Sequence, residues 1–118
     1  MQYLLLIHHD EQRWEKLTQS EKEQIYLGFR KLRDDLEKGK KMLGGGQLQP
    51  TATATTVRVR DGRTSLTDGP FAETKEQLGG FFLVDASSKE DAEAIAARIP
   101  VAETGTIEVR PVMPSQQP

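Results

Sequence analysis

The opening stretch Gln2-Tyr-Leu-Leu-Leu-Ile-His-His9 constrains the fold more than any other part of the chain. It is short, apolar and followed by charged residues, the pattern of a buried strand. Side chains alternate along a strand, so Leu4, Leu6 and His8 share one face while Tyr3, Leu5, Ile7 and His9 share the other. Both faces are apolar, and such a strand needs cover on both sides. Helices on one face and a second layer on the other, such as a second subunit, meet that need.

A helix is predicted next, over Glu21 to Lys38. Ser20 with Glu23 has the capping-box spacing, and Ile25, Phe29, Leu32 and Leu36 form one apolar stripe. Gly39 is placed at C′, just past the helix end. Met42 to Leu48 contains Gly44-Gly45-Gly46, which suggests a bulged strand or backbone passing close to something bulky. Thr51 to Thr56 reads as extended.

The clearest local signal is Asp61-Gly62 between Thr56-Val-Arg-Val-Arg60 and Arg63-Thr-Ser-Leu-Thr67, a type I′ hairpin. With a two-residue loop Arg60 faces Arg63, Val59 faces Thr64, Arg58 faces Ser65 and Val57 faces Leu66. One face is then Val57, Val59, Thr64 and Leu66; the other carries Arg58, Arg60 and Arg63. Like charges directly opposite are mildly destabilising, and an acidic partner, an anion or solvent alone can offset them.

Asp68-Gly69-Pro70-Phe71 has the composition of a turn. Gly79-Gly80 lead into the strand Phe81 to Asp85. A second helix is capped by Ser87 with Glu90 in the box position; its apolar face is Ala92, Ile95, Ala96 and Ile99, and Pro100 closes it. Thr106 to Val112 alternates as a last strand. Residues 1–112 therefore read as a single domain, and 113–118 as a loose tail. With the hairpin set aside the order is βαββαβ, an α+β ferredoxin-like unit with both helices on one face of an antiparallel sheet. Apolar residues are only 36% of the 118, lean for a lone core of this size. Two sheets packed face to face would supply what is missing, so a homodimer is expected.

The formal charge of −2, with no basic run, argues against direct nucleic-acid binding. The absence of cysteine removes disulfides, thiolate metal sites and Cys nucleophiles together. The longest apolar run, Leu4 to Ile7, cannot span a bilayer, and no signal-peptide pattern is present, so a cytoplasmic location is expected.

Few residues carry recognisable chemistry. His8 or His9, with Asp68 or Asp10, can move a proton near neutral pH; a strand-end histidine satisfied by backbone or water is the commoner case. Adjacent strand residues point to opposite faces, so the two histidines do not converge on a metal, and no metal or cofactor is expected. Asp68 and Gly69 can line a ligand pocket, or form a rigid turn in which Asp68 accepts backbone N–H bonds and Phe71 plugs the core. Gly45, Gly46 and Gly79 can flank a ligand cleft, or let two backbones meet closely. The arginine face can grip a small anion, or be ordinary hairpin surface. Trp14 is expected to pack against the first helix.

The string Asp68-Gly-Pro-Phe-Ala-Glu-Thr-Lys-Glu-Gln-Leu-Gly-Gly-Phe-Phe-Leu-Val-Asp85 resembles the signature of the DGPF-type proteins of the YCII-related family. Tyr3 to Glu11, Leu43 to Pro50, Asp61-Gly62, Ala97 to Pro100 and Ile107 to Pro111 are also similar to that family. The resemblance implies a dimeric α/β barrel of ferredoxin-like protomers. Enzyme-like members carry a histidine in the first helix, paired with an aspartate; Glu21 to Lys38 contains no histidine, and its nearest polar candidate is Tyr26. For DGPF members the resemblance implies an association with extracytoplasmic-function sigma factors. Two functions follow as expectations. One is a ligand- or partner-binding module linked to transcription. The alternative is a cofactor-independent isomerase or lyase acting on a small carbonyl acid.

Overall fold

The structure, a computed structural model, describes residues 1–115. The last part of the expected tail, 116–118, lies outside the described residues; Met113 to Ser115 are exposed and in neither helix nor strand. The first strand, β1 (Gln2–His9), is central in a four-stranded antiparallel sheet ordered β2–β5–β1–β6. Its neighbours are β2 (Met42–Gln47), β5 (Gln77–Asp85) and β6 (Thr106–Pro111). With the hairpin set aside, this is the ferredoxin-like order expected from the sequence. The long helix α2 (Gln19–Lys38) and the shorter α3 (Lys89–Ala97) supply the buried cover of one face.

Alternation along β1 decides which side is which. Tyr3, Leu5 and Ile7 are buried with Phe82 and Val84, beneath Leu32 and Leu36 of α2 and Ala92, Ile95 and Ala96 of α3. The other face carries Leu4, Leu6 and His8. Leu83 and Phe81 stand opposite Leu4 and Leu6 on β5, and Arg110 and Glu108 stand opposite them on β6. None of these seven residues is buried within the single chain. Within the single chain the sheet therefore has one covered and one open face, and the cover that the apolar first strand calls for on its second side does not come from this chain.

Several helix ends differ from expectation. A short helix α1 (Glu11–Glu15), capped by Asp10, precedes α2; five residues are too few to show an apolar stripe. The capping box of α2 is Thr18 with Glu21, not Ser20 with Glu23. Both pairs have the spacing, and the earlier start adds helical hydrogen bonds with nothing in between to break them. At the other end Lys40, not Gly39, takes the left-handed conformation, at φ 57°. The N–H groups of Lys40 and Lys41 return to Glu37 and Leu36, the bonding of a Schellman ending. The cap of α3 is Ser88 rather than Ser87, and Pro100 opens a 3₁₀ turn (Pro100–Glu103) instead of closing the helix outright. Thr51 to Thr53 form another such turn rather than extended chain.

Ser87 has a different task. Its N–H donates to Asp91 Oδ2 at 3.0 Å, and Lys41 Nζ donates to the same carboxylate, also at 3.0 Å. The Ser87 N–H first, and then Lys41, hold the Asp91 carboxyl below its ordinary value of 3.8. A depressed folded value means the stabilisation is present above the unfolded value and is lost as pH falls through the folded one. Melting temperature is expected to drop as pH is lowered below 3.8, and Asp91→Asn should flatten part of that drop. Acid melts of both proteins measure it; identical slopes would contradict the assignment.

Between β2 and β5 the chain leaves the sheet as an arm, β3 (Thr55–Arg60) and β4 (Arg63–Asp68), which form a separate two-stranded sheet. Its register is the predicted one, Arg60 with Arg63, Val59 with Thr64, Arg58 with Ser65 and Val57 with Leu66. Asp61 and Gly62 have φ of 53° and 74°, the positive values a type I′ turn requires. The radius of gyration is 16.4 Å, against about 13.5 Å for a compact chain of this length. The extents of 49 × 47 × 18 Å describe a flat molecule.

Candidate functional site

The Asp68 turn is fixed by backbone and by a hydroxyl, not by its carboxylate. Gly69 adopts φ 100°, a conformation glycine reaches without strain. Its N–H donates to the Ala54 carbonyl at 2.7 Å, and the Thr56 hydroxyl donates to its carbonyl at 2.7 Å. Asp68 is exposed, and among the described residues no donor meets its carboxylate. The expectation of an Asp68-locked turn is therefore corrected. So is that of Phe71 as a core plug, because Phe71 is 81% exposed. Asp68→Ala is expected to change stability by less than about 0.5 kcal/mol, whereas Thr56→Val should cost about 1 kcal/mol through the lost hydrogen bond. Thermal melts of the two variants compare them directly, and the reverse order would restore the carboxylate lock.

The histidines part company as alternation demands. His8 lies on the open face, with its Nε2 3.9 Å from Glu108 Oε1. The other oxygen of Glu108 already accepts from Arg110 Nη2. His9 lies edge-on to Trp14, with ring centroids 6.2 Å apart, and Trp14 meets Tyr26 edge-on at 5.5 Å. Tyr26 in turn accepts from Gln47 Nε2 at 3.2 Å. Among the described residues neither histidine is within ion-pair range of Asp68 or Asp10. The Asp10 carboxylate instead accepts the N–H groups of Gln12 and Arg13 at the start of α1. The carboxylates with depressed values, Glu21 and Asp91, both belong to helix-cap networks.

The glycines make room for protein. Register slips between Ile7 and His8, leaving Gly79 in a bulge. A β-carbon on Gly79 would stand 2.5 Å from His9 Cδ2 and Nε2, so the imidazole fills the space. A β-carbon on Gly45 would stand 2.8 Å from the Phe81 carbonyl oxygen, and one on Gly80 2.9 Å from that of Gly46. On Gly46 it would touch the Phe81 ring at 3.7 Å. Here two backbones and an aromatic ring pack closely, the second of the readings given for these positions. Among the described residues no three of His, Asp and Glu gather as metal ligands.

What the structure does gather is charge on the arm. Arg58, Arg60 and Arg63 share one face, and among the described residues none has a carboxylate within ion-pair range. A shallow groove beside them is lined by Thr55, Val57, Arg58, Arg60, Pro70 and Phe71. The Glu108–Arg110 pair has a signal in the sequence: at i and i+2 of an alternating strand, both point to the face of His8.

A ferredoxin-like α+β chain with an open sheet face and a protruding arm is thus defined by its fold. The chain belongs to the YCII-related family, whose domain matches residues 1–116. It is also similar to the uncharacterized protein R00369 of Rhizobium meliloti (strain 1021), 36% identical over 114 residues, covering 95% of this chain and 92% of that protein. No helix among the described residues is long and apolar enough to cross a membrane.

Proposed function

We propose that the chain is a homodimeric binding module, its open sheet faces packed together, that takes an acidic protein segment on the arginine face of its arm. The observation that carries the reading is the set of three arginines, Arg58, Arg60 and Arg63, on one exposed hairpin face without a carboxylate partner among the described residues. Small-molecule sites enclose most of the ligand surface. This face is flat and open, so a small anion would stay largely hydrated on it. Arg58 and Arg60 stand roughly 7 Å apart along the strand, which matches carboxylates at alternate positions of an extended acidic chain. A sigma factor of the extracytoplasmic-function group, the partner implied by the DGPF-like signature, is a protein-partner form of this reading. No observation favours the acid–base enzyme: His8, His9 and Asp68 form no hydrogen-bonded relay with one another.

Fluorescence anisotropy with a labelled peptide of alternating Asp and Ser tests the proposal. Binding should weaken steeply with salt and vanish in the Arg58→Gln, Arg60→Gln, Arg63→Gln variant. Equal binding by wild type and variant would reject it, and citrate competing as well as unlabelled peptide would move the site to small anions.

A further inference from the structure

The arm poses a physical problem of its own. Two-stranded hairpins are marginal in water without packing, and every residue of this one except Thr56 is exposed. Val57, Val59 and Leu66, all on one face, are 58%, 57% and 69% exposed. The same chain leaves a second apolar surface only partly covered: Leu4, Leu6, Phe81 and Leu83 on the open sheet face.

We infer that the Val57, Val59 and Leu66 face of the arm clasps a second copy of this chain, while the arginine face points outward. This rests on the homodimer proposed above and adds the element that completes its interface. Footprint area supports the clasp. At about 3.4 Å per residue and 4.8 Å between strands, a strand residue covers roughly 16 Å². Strands of 8, 6, 9 and 6 residues then offer a face of roughly 470 Å². Two such faces have a flat footprint of roughly 940 Å², a modest base for interfaces that begin at roughly 1,200 Å² of accessible surface. Each arm, of two six-residue strands, adds roughly 200 Å² and covers as much on its partner. Two arms nearly double the footprint, to roughly 1,700 Å². A two-fold pair covers the sheet face and both arms in one closed contact. A foreign protein on the arm alone would leave the sheet face bare.

The test compares dimer dissociation constants of the full chain, by sedimentation equilibrium, for wild type and for Val59→Lys with Leu66→Lys. Both positions are exposed in the single chain, so its fold does not need them. The expected result is a dissociation constant raised about 100-fold or more. Hydrogen exchange of the β3 and β4 amides in the wild type is the second readout, and protection should rise with protein concentration. A wild-type dimer whose constant is unchanged in the variant, with arm amides equally unprotected at every concentration, overturns the clasp and leaves the dimer standing. A wild type that stays monomeric overturns both.

Discussion

Gly105→Ala is expected to destabilise the protein by about 3 kcal/mol, the upper end of the usual cost of forcing atoms into a packed site. Gly105 joins the Pro100–Glu103 turn to β6, and its N–H donates to the Val101 carbonyl at 2.6 Å. A β-carbon there would stand 2.3 Å from the His8 carbonyl oxygen and 3.2 Å from that of Val101. Both obstacles are main chain, one of them in the central strand, so no rotamer change relieves the clash. Relief requires β6 to move away from β1, at the expense of ladder bonds beside Ile107 and Thr106. The requirement is one of space, not of backbone conformation. Gly44→Ala is the control, since a β-carbon there meets nothing within 4 Å. Urea denaturation of the two variants should separate them widely; a loss below about 1 kcal/mol at Gly105 would show that the strand junction yields easily.

Leu5→Ala should cost about 3–4 kcal/mol, as buried leucines do when the cavity cannot collapse. Leu5 is 0% exposed at the middle of the central strand. Phe82 and Val109 are its neighbours in register on either side. Phe29, packed edge-on to Phe82 with centroids 6.1 Å apart, helps close the layer above. Strands on both flanks and helices above leave little freedom to fill the hole. A cost this large would consume much of the stability of a domain this size, and denaturant midpoints measure it. A midpoint close to the wild type would mean that the core is fluid around Leu5.

These two positions show what can be read along the chain and what cannot. Leu5 as core follows from alternation in a single strand. So do the two faces of β1, and the hairpin register follows from Asp61-Gly62 together with its alternating flanks. The sheet order follows from the succession of elements. Gly105 is silent in the sequence, because its constraint is a carbonyl 97 positions away. The same holds for Gly79, whose space belongs to the His9 ring. The caps lie a residue or two from the predicted positions, where Thr18 and Ser20, or Ser87 and Ser88, are competing candidates; in the second case Lys41, distant in sequence, helps hold the Asp91 carboxylate. Phe71 was expected inside, yet hydrophobicity is a one-way guide to burial. The candidate catalytic group, His8, His9 and Asp68, drew on local chemistry alone. Folding sends the first to the open face, the second against Trp14 and the third to the base of the arm.

The dimer proposed above shares the open sheet face and the arm between two copies of the chain. Sedimentation equilibrium of the wild-type protein at low micromolar concentration tests it most directly. The expected result is a single species of twice 13.2 kDa, held together without added ligand or salt. A stable, well-folded monomer of 13.2 kDa under those conditions would contradict it, because Leu4, Leu6, Phe81 and Leu83 would then stay partly exposed to water beside an unsupported arm.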